Sequence, residues 1–325
     1  MKLTKRTHYN PCFWTACWNP DYYEYLKHNV KPIKKVRETP LFVLNVKADK
    51  ILPCTAEKVF WENGLGLSTI TAEESLDYCK RIFPEKCAEL TQWYESNPGD
   101  LYLDFENVFT AIENSTAYKS LIEVVANEGL RTREDKVNLA MFIVMHKMRN
   151  HAIINAHLEM GYRIGKHRFE HFIWLKNEWG NCEILHSLVM PIVACQWIVY
   201  KTDTFSFPLN DSPIMSDNGK ILFVLSPKLL VEIDIRINAN PEVWKEKNYI
   251  PQFKMNEFRR KVIWHSFKEI VFHDERTLLE WKQSPEYKKR YALIKDLTSF
   301  NKVVIDKAGE EIWTLNAFAG IRSRE

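Results

Sequence analysis

Three side chains in this sequence combine reactive chemistry with surroundings that would hold them still: His8, Arg149 and Asp211. His8 lies in His8-Tyr9-Asn10-Pro11-Cys12-Phe13-Trp14, where a proline and aromatic neighbours stiffen the chain. A ring fixed in this way can keep one tautomer and serve acid–base chemistry. The plainer reading is that the segment packs on the core and His8 satisfies a buried backbone group. Asp211 follows Phe207-Pro208-Leu209-Asn210 and stands at a Ser212-Pro213 turn, just after the strand that begins near Gln196. A carboxylate at a strand end can bind a metal or orient a histidine. It can also simply close an Asx-turn. Arg149 falls near one helical stripe with Leu139, Phe142, His146, Ile153 and His157. An arginine there either clamps an anion at a cleft or extends its head from the edge of the core. A fourth constellation is His167-Arg168-Phe169-Glu170-His171. Two histidines at i and i+4 can share zinc, with Glu170 as general base of a zinc hydrolase. No third ligand is identifiable, and a solvated helix face explains the same residues.

The opening His8-Tyr9-x-Pro11-x-Phe13, then Phe207, Asp211 and Pro213, then Leu225-Ser226-Pro227, resemble in type and order a widespread, mainly bacterial family known as domain of unknown function 4238. The resemblance runs from His8 to the helix after Asn256. It matches every defined position of the opening signature. Leu209 and Asn210 stand where the family has Thr and Ser, and Val224 replaces a proline. The resemblance implies that His8, Asp211 and an arginine closing an apolar helical run, here Arg149, are the residues that matter. It implies no reaction, and the His-x-x-Glu-His motif is not part of it.

Several chemistries are disfavoured by what the sequence lacks. It has no G-x-x-x-x-G-K-[ST] and no G-x-G-x-x-G after a strand, and no G-x-S-x-G elbow. Glu232-Ile-Asp234-Ile-Arg236 alternates like a strand with charges on one face, a weak likeness to a metal-dependent nuclease core in which Arg236 replaces the usual lysine. Lys27, His28, Lys31, Lys34, Lys35 and Arg37 form a basic strip, read either as a solvated loop or as a site for nucleic acid or another phosphate-containing ligand.

The elements that must position these residues fit a chain of 325 residues with 46% hydrophobic and 27% charged content. A net charge of +3 does not argue for nucleic acid on its own. Seven cysteines without CxxC or zinc-ribbon spacing read as reduced thiols of a cytoplasmic protein. No signal peptide is visible, and the apolar run Ile184 to Tyr200 reads as a buried helix entering a strand, not a membrane span. The opening through Pro20 should be extended and looped. Phe42 to Leu52 reads as a hairpin. Helices are expected over Ala72–Phe83, Lys86–Ser96, one or two within Asp104–Glu128, from a Thr132 N-cap to Met160, and over Tyr162–Trp179. Strands are expected over Gln196–Tyr200, Lys220–Val224 and Leu229–Ile237. Helices follow over Asn256–Ile270 and Thr277–Leu297, then a closing hairpin from Lys302 to Leu315. Together these predict one α+β domain over residues 1–325. It comprises an N-terminal arm and hairpin (1–60), a helical middle (70–180) and a mixed strand and helix section (195–325). Three functional readings stand: a phosphate-directed hydrolase or nuclease acting as a toxin or defence effector, a non-catalytic protein with a buried His/Arg/Asp network, and a zinc hydrolase.

Overall fold

The computed structural model describes residues 6–29, 35–63, 67–82, 84–104, 116–149, 189–217 and 219–295. The chain opens with strand β1 (Arg6–His8), helix α1 (Cys12–Thr15), a 3-10 turn over Ala16–Trp18, and helix α2 (Pro20–Asn29). The opening is therefore extended only as far as β1, and from Cys12 it is helical. Its prolines start helices instead of breaking them. The Pro11 carbonyl accepts the Trp14 and Thr15 N–H groups at 3.1 and 2.9 Å. Pro20 sits at the first helical position, where a missing N–H costs nothing, and the Asn19 side chain caps α2 by accepting Tyr22 N–H at 3.0 Å. The basic strip thus begins inside a helix, with Lys27 and His28 in the last turn of α2.

The expected hairpin forms as β2 (Pro40–Asn45) and β3 (Lys50–Thr55), paired from Pro40↔Thr55 to Asn45↔Lys50. Strand β4 (Trp61–Asn63) pairs with β1 and so holds Arg6 to His8 of the arm. Strand β5 (Leu67–Ile70), helices α3 (Ala72–Ile82) and α4 (Cys87–Ser96), and strand β6 (Leu101–Asp104) follow, with β5 and β6 antiparallel. Helices α5 (Thr116–Ala126) and α6 (Arg133–Arg149) come next. Thr132 starts α6 as expected: its Oγ1 accepts Asp135 N–H at 3.1 Å, and Asp135 accepts Thr132 N–H in return at 3.0 Å. This reciprocal cap satisfies donors that a helix start leaves without partners. The expected continuation to Met160 and the helix over Tyr162–Trp179 lie outside the described residues, as does the closing hairpin from Lys302.

Residues 189–193 are helical and lead into β7 (Cys195–Lys201). Then come β8 (Leu209–Asn210), β9 (Ile214–Asp217), β10 (Lys220–Ser226), β11 (Leu229–Asn238) and β12 (Lys245–Lys247). These make a five-stranded sheet ordered β12-β7-β11-β10-β9, antiparallel except between β12 and β7. Ile221 to Ser226 are buried on both faces, which is why β10 reads as a continuous apolar run. Helix α7 covers Gln252–His265 and is followed by β13 (Glu269–Phe272). The helix expected over Asn256–Ile270 therefore starts earlier and stops earlier. Its last residues become a strand because Ile270 pairs with both Leu44 of β2 and Asn210 of β8. A second sheet, ordered β3-β2-β13-β8, results. The helix expected over Thr277–Leu297 is two, α8 (Glu275–Gln283) and α9 (Pro285–Lys295). Pro285 has no N–H to donate and pushes Ser284 into an extended conformation with φ −63° and ψ 149°.

The fold is α+β, with strands from both ends of the chain. One hydrophobic cluster runs from Tyr9 to Tyr287. Trp14 is central to it. Its ring meets Trp18, Phe142, His146 and Phe223 with centroids 5.2 to 5.9 Å apart. Each fully buried aromatic side chain of this kind contributes about 2–3 kcal/mol, so the arm is a structural member of the core. Among the described residues, no helix is long and apolar enough to cross a membrane.

Candidate functional site

The two motifs meet in space. Asn10 Nδ2 donates to the Asn210 carbonyl at 3.1 Å, Trp14 Nε1 to Leu225 O at 2.8 Å, and Trp18 Nε1 to Phe207 O at 2.6 Å. All three donors come from the arm, and all three acceptors come from the Phe207–Pro227 stretch. His8, half-buried, stands opposite Trp61 in the β1–β4 ladder, with its Nε2 2.9 Å from the Glu57 carbonyl oxygen. A carbonyl only accepts, so that nitrogen carries the proton. The next residue, Tyr9, donates its N–H to Phe60 O at 2.9 Å, and Phe60 N–H goes to Glu269 Oε2 at 2.7 Å. The arm is thus joined through Phe60 to β13.

Asp211 is the other pillar. It is wholly buried at the end of β8. Its carboxylate accepts N–H groups from Phe267 at 3.0 Å, from Lys268 at short range and from Glu269 at 3.3 Å, while its own N–H donates to Glu269 O at 3.1 Å. These are the backbone donors of the turn between α7 and β13, so Asp211 caps a turn far along the chain. Burial pushes the Asp211 carboxyl up to about 7; the Phe267 N–H opposes this and the Glu269 charge adds to it. Burial likewise raises Glu269 above the ordinary carboxylate range, and the Phe60 N–H and Lys268 oppose it. The Tyr9 hydroxyl is raised by burial and then by the charges of Glu269 and Asp211.

The arginine that faces this acidic interior is Arg290 of α9, which no motif pointed to. It is fully buried, with its guanidinium carbon 5.7 Å from the Trp264 ring centroid and 5.5 Å from that of Phe267. Its Nη2 donates to Ser266 O at 3.3 Å, whereas Nε and Nη1 have no hydrogen-bond partner among the described residues. Burial lowers its pKa to about 10, and Asp211 opposes that shift. Arg290 hides in the charged run Lys288-Lys289-Arg290. The available signal was its helical spacing of three from Tyr287, which is also buried.

Arg149 is the last residue of α6, and its side chain lies outside the described residues. Its stripe-mate His146 is buried and stacks on Phe142 at 5.3 Å. His157 and the zinc candidates His167, Glu170 and His171 lie outside the described residues. Among the described residues no group of three His, Cys, Asp or Glu could hold a metal ion. The charged face of β11 is an ion-pair lattice. Glu232 meets Lys220 at 3.0 Å and Lys254 at 2.6 Å, and Arg236 grips Asp234 through Nε and Nη2 at 2.9 and 2.8 Å. Residues i and i+2 share a strand face, so Glu232, Asp234 and Arg236 line one side of β11, and its carboxylates are matched by cations. The chain matches no family model, no curated protein and no solved structure.

Proposed function

We propose that this chain is a non-catalytic binding or interaction protein whose two motifs lock the N-terminal arm onto the body. Asp211 carries this reading: a carboxylate with no exposed surface, whose oxygens accept three backbone N–H groups, is built as a cap and cannot meet a substrate arriving from solvent. The His8 bond to the Glu57 carbonyl supports the same role for the arm. On this reading the residues shared with domain of unknown function 4238 are those that build the junction, and membership of that family is part of the proposal. The competing reading is phosphate-directed hydrolysis, as a nuclease or toxin. The experiment pairs activity with stability. His8→Ala and Asp211→Asn should each lower the melting temperature, and the parent protein should not hydrolyse single-stranded DNA, RNA or a generic phosphodiester. Turnover by the parent that is lost in His8→Ala, at a melting temperature within a few degrees of the parent, would refute the proposal in favour of the hydrolase.

A further inference from the structure

Three lysines from three separate elements converge on one carboxylate. Lys201, closing β7, places Nζ 2.9 Å from Glu128 Oε2. Lys27 of α2 and Lys228 of the β10–β11 turn place theirs 3.2 and 3.5 Å from Oε1. The Tyr23 hydroxyl donates to the same oxygen at 3.5 Å, and Lys228 also lies 5.4 Å from the centroid of the Tyr23 ring. Burial alone would raise the Glu128 pKa, but its bonds to Lys201 and Lys27 and the charge of Lys228 hold it down at about 2.

Glu128 also holds an unusual backbone position. Glu128 follows the end of α5 with φ +51°, a left-handed conformation that favours glycine. Gly129 N–H bonds Val124 O at 3.1 Å, so the helix is closed by a turn in which a glutamate holds the left-handed position just before a glycine. The Glu24 carboxylate, 3.9 Å from Lys27 and largely exposed, is the outer counter-charge. Three ammonium groups therefore surround one enclosed carboxylate and one peripheral one, and positive charge remains in excess. The Lys27 and Lys201 side chains stay 30% and 35% exposed, which leaves a way in from solvent.

We propose that Lys27, Lys201 and Lys228 form a binding site for a single phosphate group, free or as a small monoester, with Glu128 as the internal stand-in that the ligand displaces. A phosphate offers an acceptor oxygen to each ammonium and carries the second negative charge that the carboxylate lacks. The cations meet at one point, not in a row, which fits one phosphate group and not the spaced phosphates of a nucleic-acid strand. This inference shares no residue with the arm lock and does not depend on it.

The test is titration calorimetry and thermal unfolding of the full chain with inorganic phosphate, against potassium chloride at matched ionic strength. The parent should bind at roughly millimolar strength. Glu128→Gln should bind about tenfold more tightly, because a like charge leaves the site. Lys201→Gln and Lys228→Gln should lose the phosphate-specific stabilisation, while Lys289→Gln, an exposed lysine on α9, should keep it. If Glu128→Gln does not fold, the lysine variants against the parent decide the matter. Phosphate that stabilises parent and Glu128→Gln no more than chloride does, or that stabilises the Lys201 and Lys228 variants equally, overturns the site. An oligonucleotide binding more tightly than phosphate or a mononucleotide overturns the single-phosphate assignment.

Discussion

Truncating Asp211 to alanine removes the carboxylate that accepts the Phe267, Lys268 and Glu269 N–H groups. Phe267 and Glu269 are buried, so water cannot replace the lost acceptor without entering the core. A buried donor left unsatisfied costs about 1–3 kcal/mol. Two full penalties and one partial one, at the half-buried Lys268, come to about 3–7 kcal/mol. An offset must be weighed, because deleting a buried carboxylate also relieves the cost of burying its charge. Burial holds this carboxyl up to about 7, so at pH 6 it is mostly uncharged and the offset is small. Urea unfolding at pH 6 is the assay. Asp211→Ala should lose about 3–7 kcal/mol of a total that is about 5–15 kcal/mol for proteins generally. Asp211→Asn keeps one acceptor oxygen and should lose about 1–2 kcal/mol. An Asp211→Ala midpoint and slope that leave stability within about 1 kcal/mol of the parent would show that the turn does not depend on this cap.

The pH dependence follows from the same group. The folded pKa of Asp211 is raised, so its contribution is fully present below the ordinary carboxylate range and is lost as pH rises through about 7. Glu269 shifts in the same direction. The melting temperature should therefore fall between pH 5 and pH 8, and Asp211→Asn should flatten that fall; a parent curve that rises over this window refutes the assignment. Trp14→Ala should cost about 3–5 kcal/mol through cavity formation and loss of the bond to Leu225, read by chemical denaturation. Deleting residues 1–20 should cause aggregation or a sharp drop in melting temperature, since Tyr9, Trp14 and Trp18 are all buried; a soluble, equally stable truncation would contradict this. Metal analysis of tag-free protein should find far less than one zinc per chain, and stoichiometric zinc lost in a His167→Ala, His171→Ala double variant would reverse that.

What could be read from the sequence was whatever is set by neighbours. The Phe42–Leu52 hairpin was legible because both strands and their turn lie within a dozen residues. The Thr132 cap was legible because its partner Asp135 is three positions away. Strand β10 announced itself as a continuous apolar run, since Ile221 to Ser226 are buried on both faces, and β11 was legible from its alternation of apolar and charged residues. Tertiary structure alone decided the rest. Glu269 and Ile270 looked like the end of a helix and became part of a strand because Leu44, more than 200 residues earlier, offers Ile270 a ladder. Asp211 stands beside a Ser212-Pro213 turn in the sequence, yet its carboxylate caps residues 267–269, because only the folded chain brings those N–H groups to it. Arg290 sat in a run of surface-like charges until packing against Trp264 and Phe267 buried it. In each case the deciding energy is the desolvation of a polar or apolar group by a partner distant in sequence, a quantity that has no value until the chain is folded.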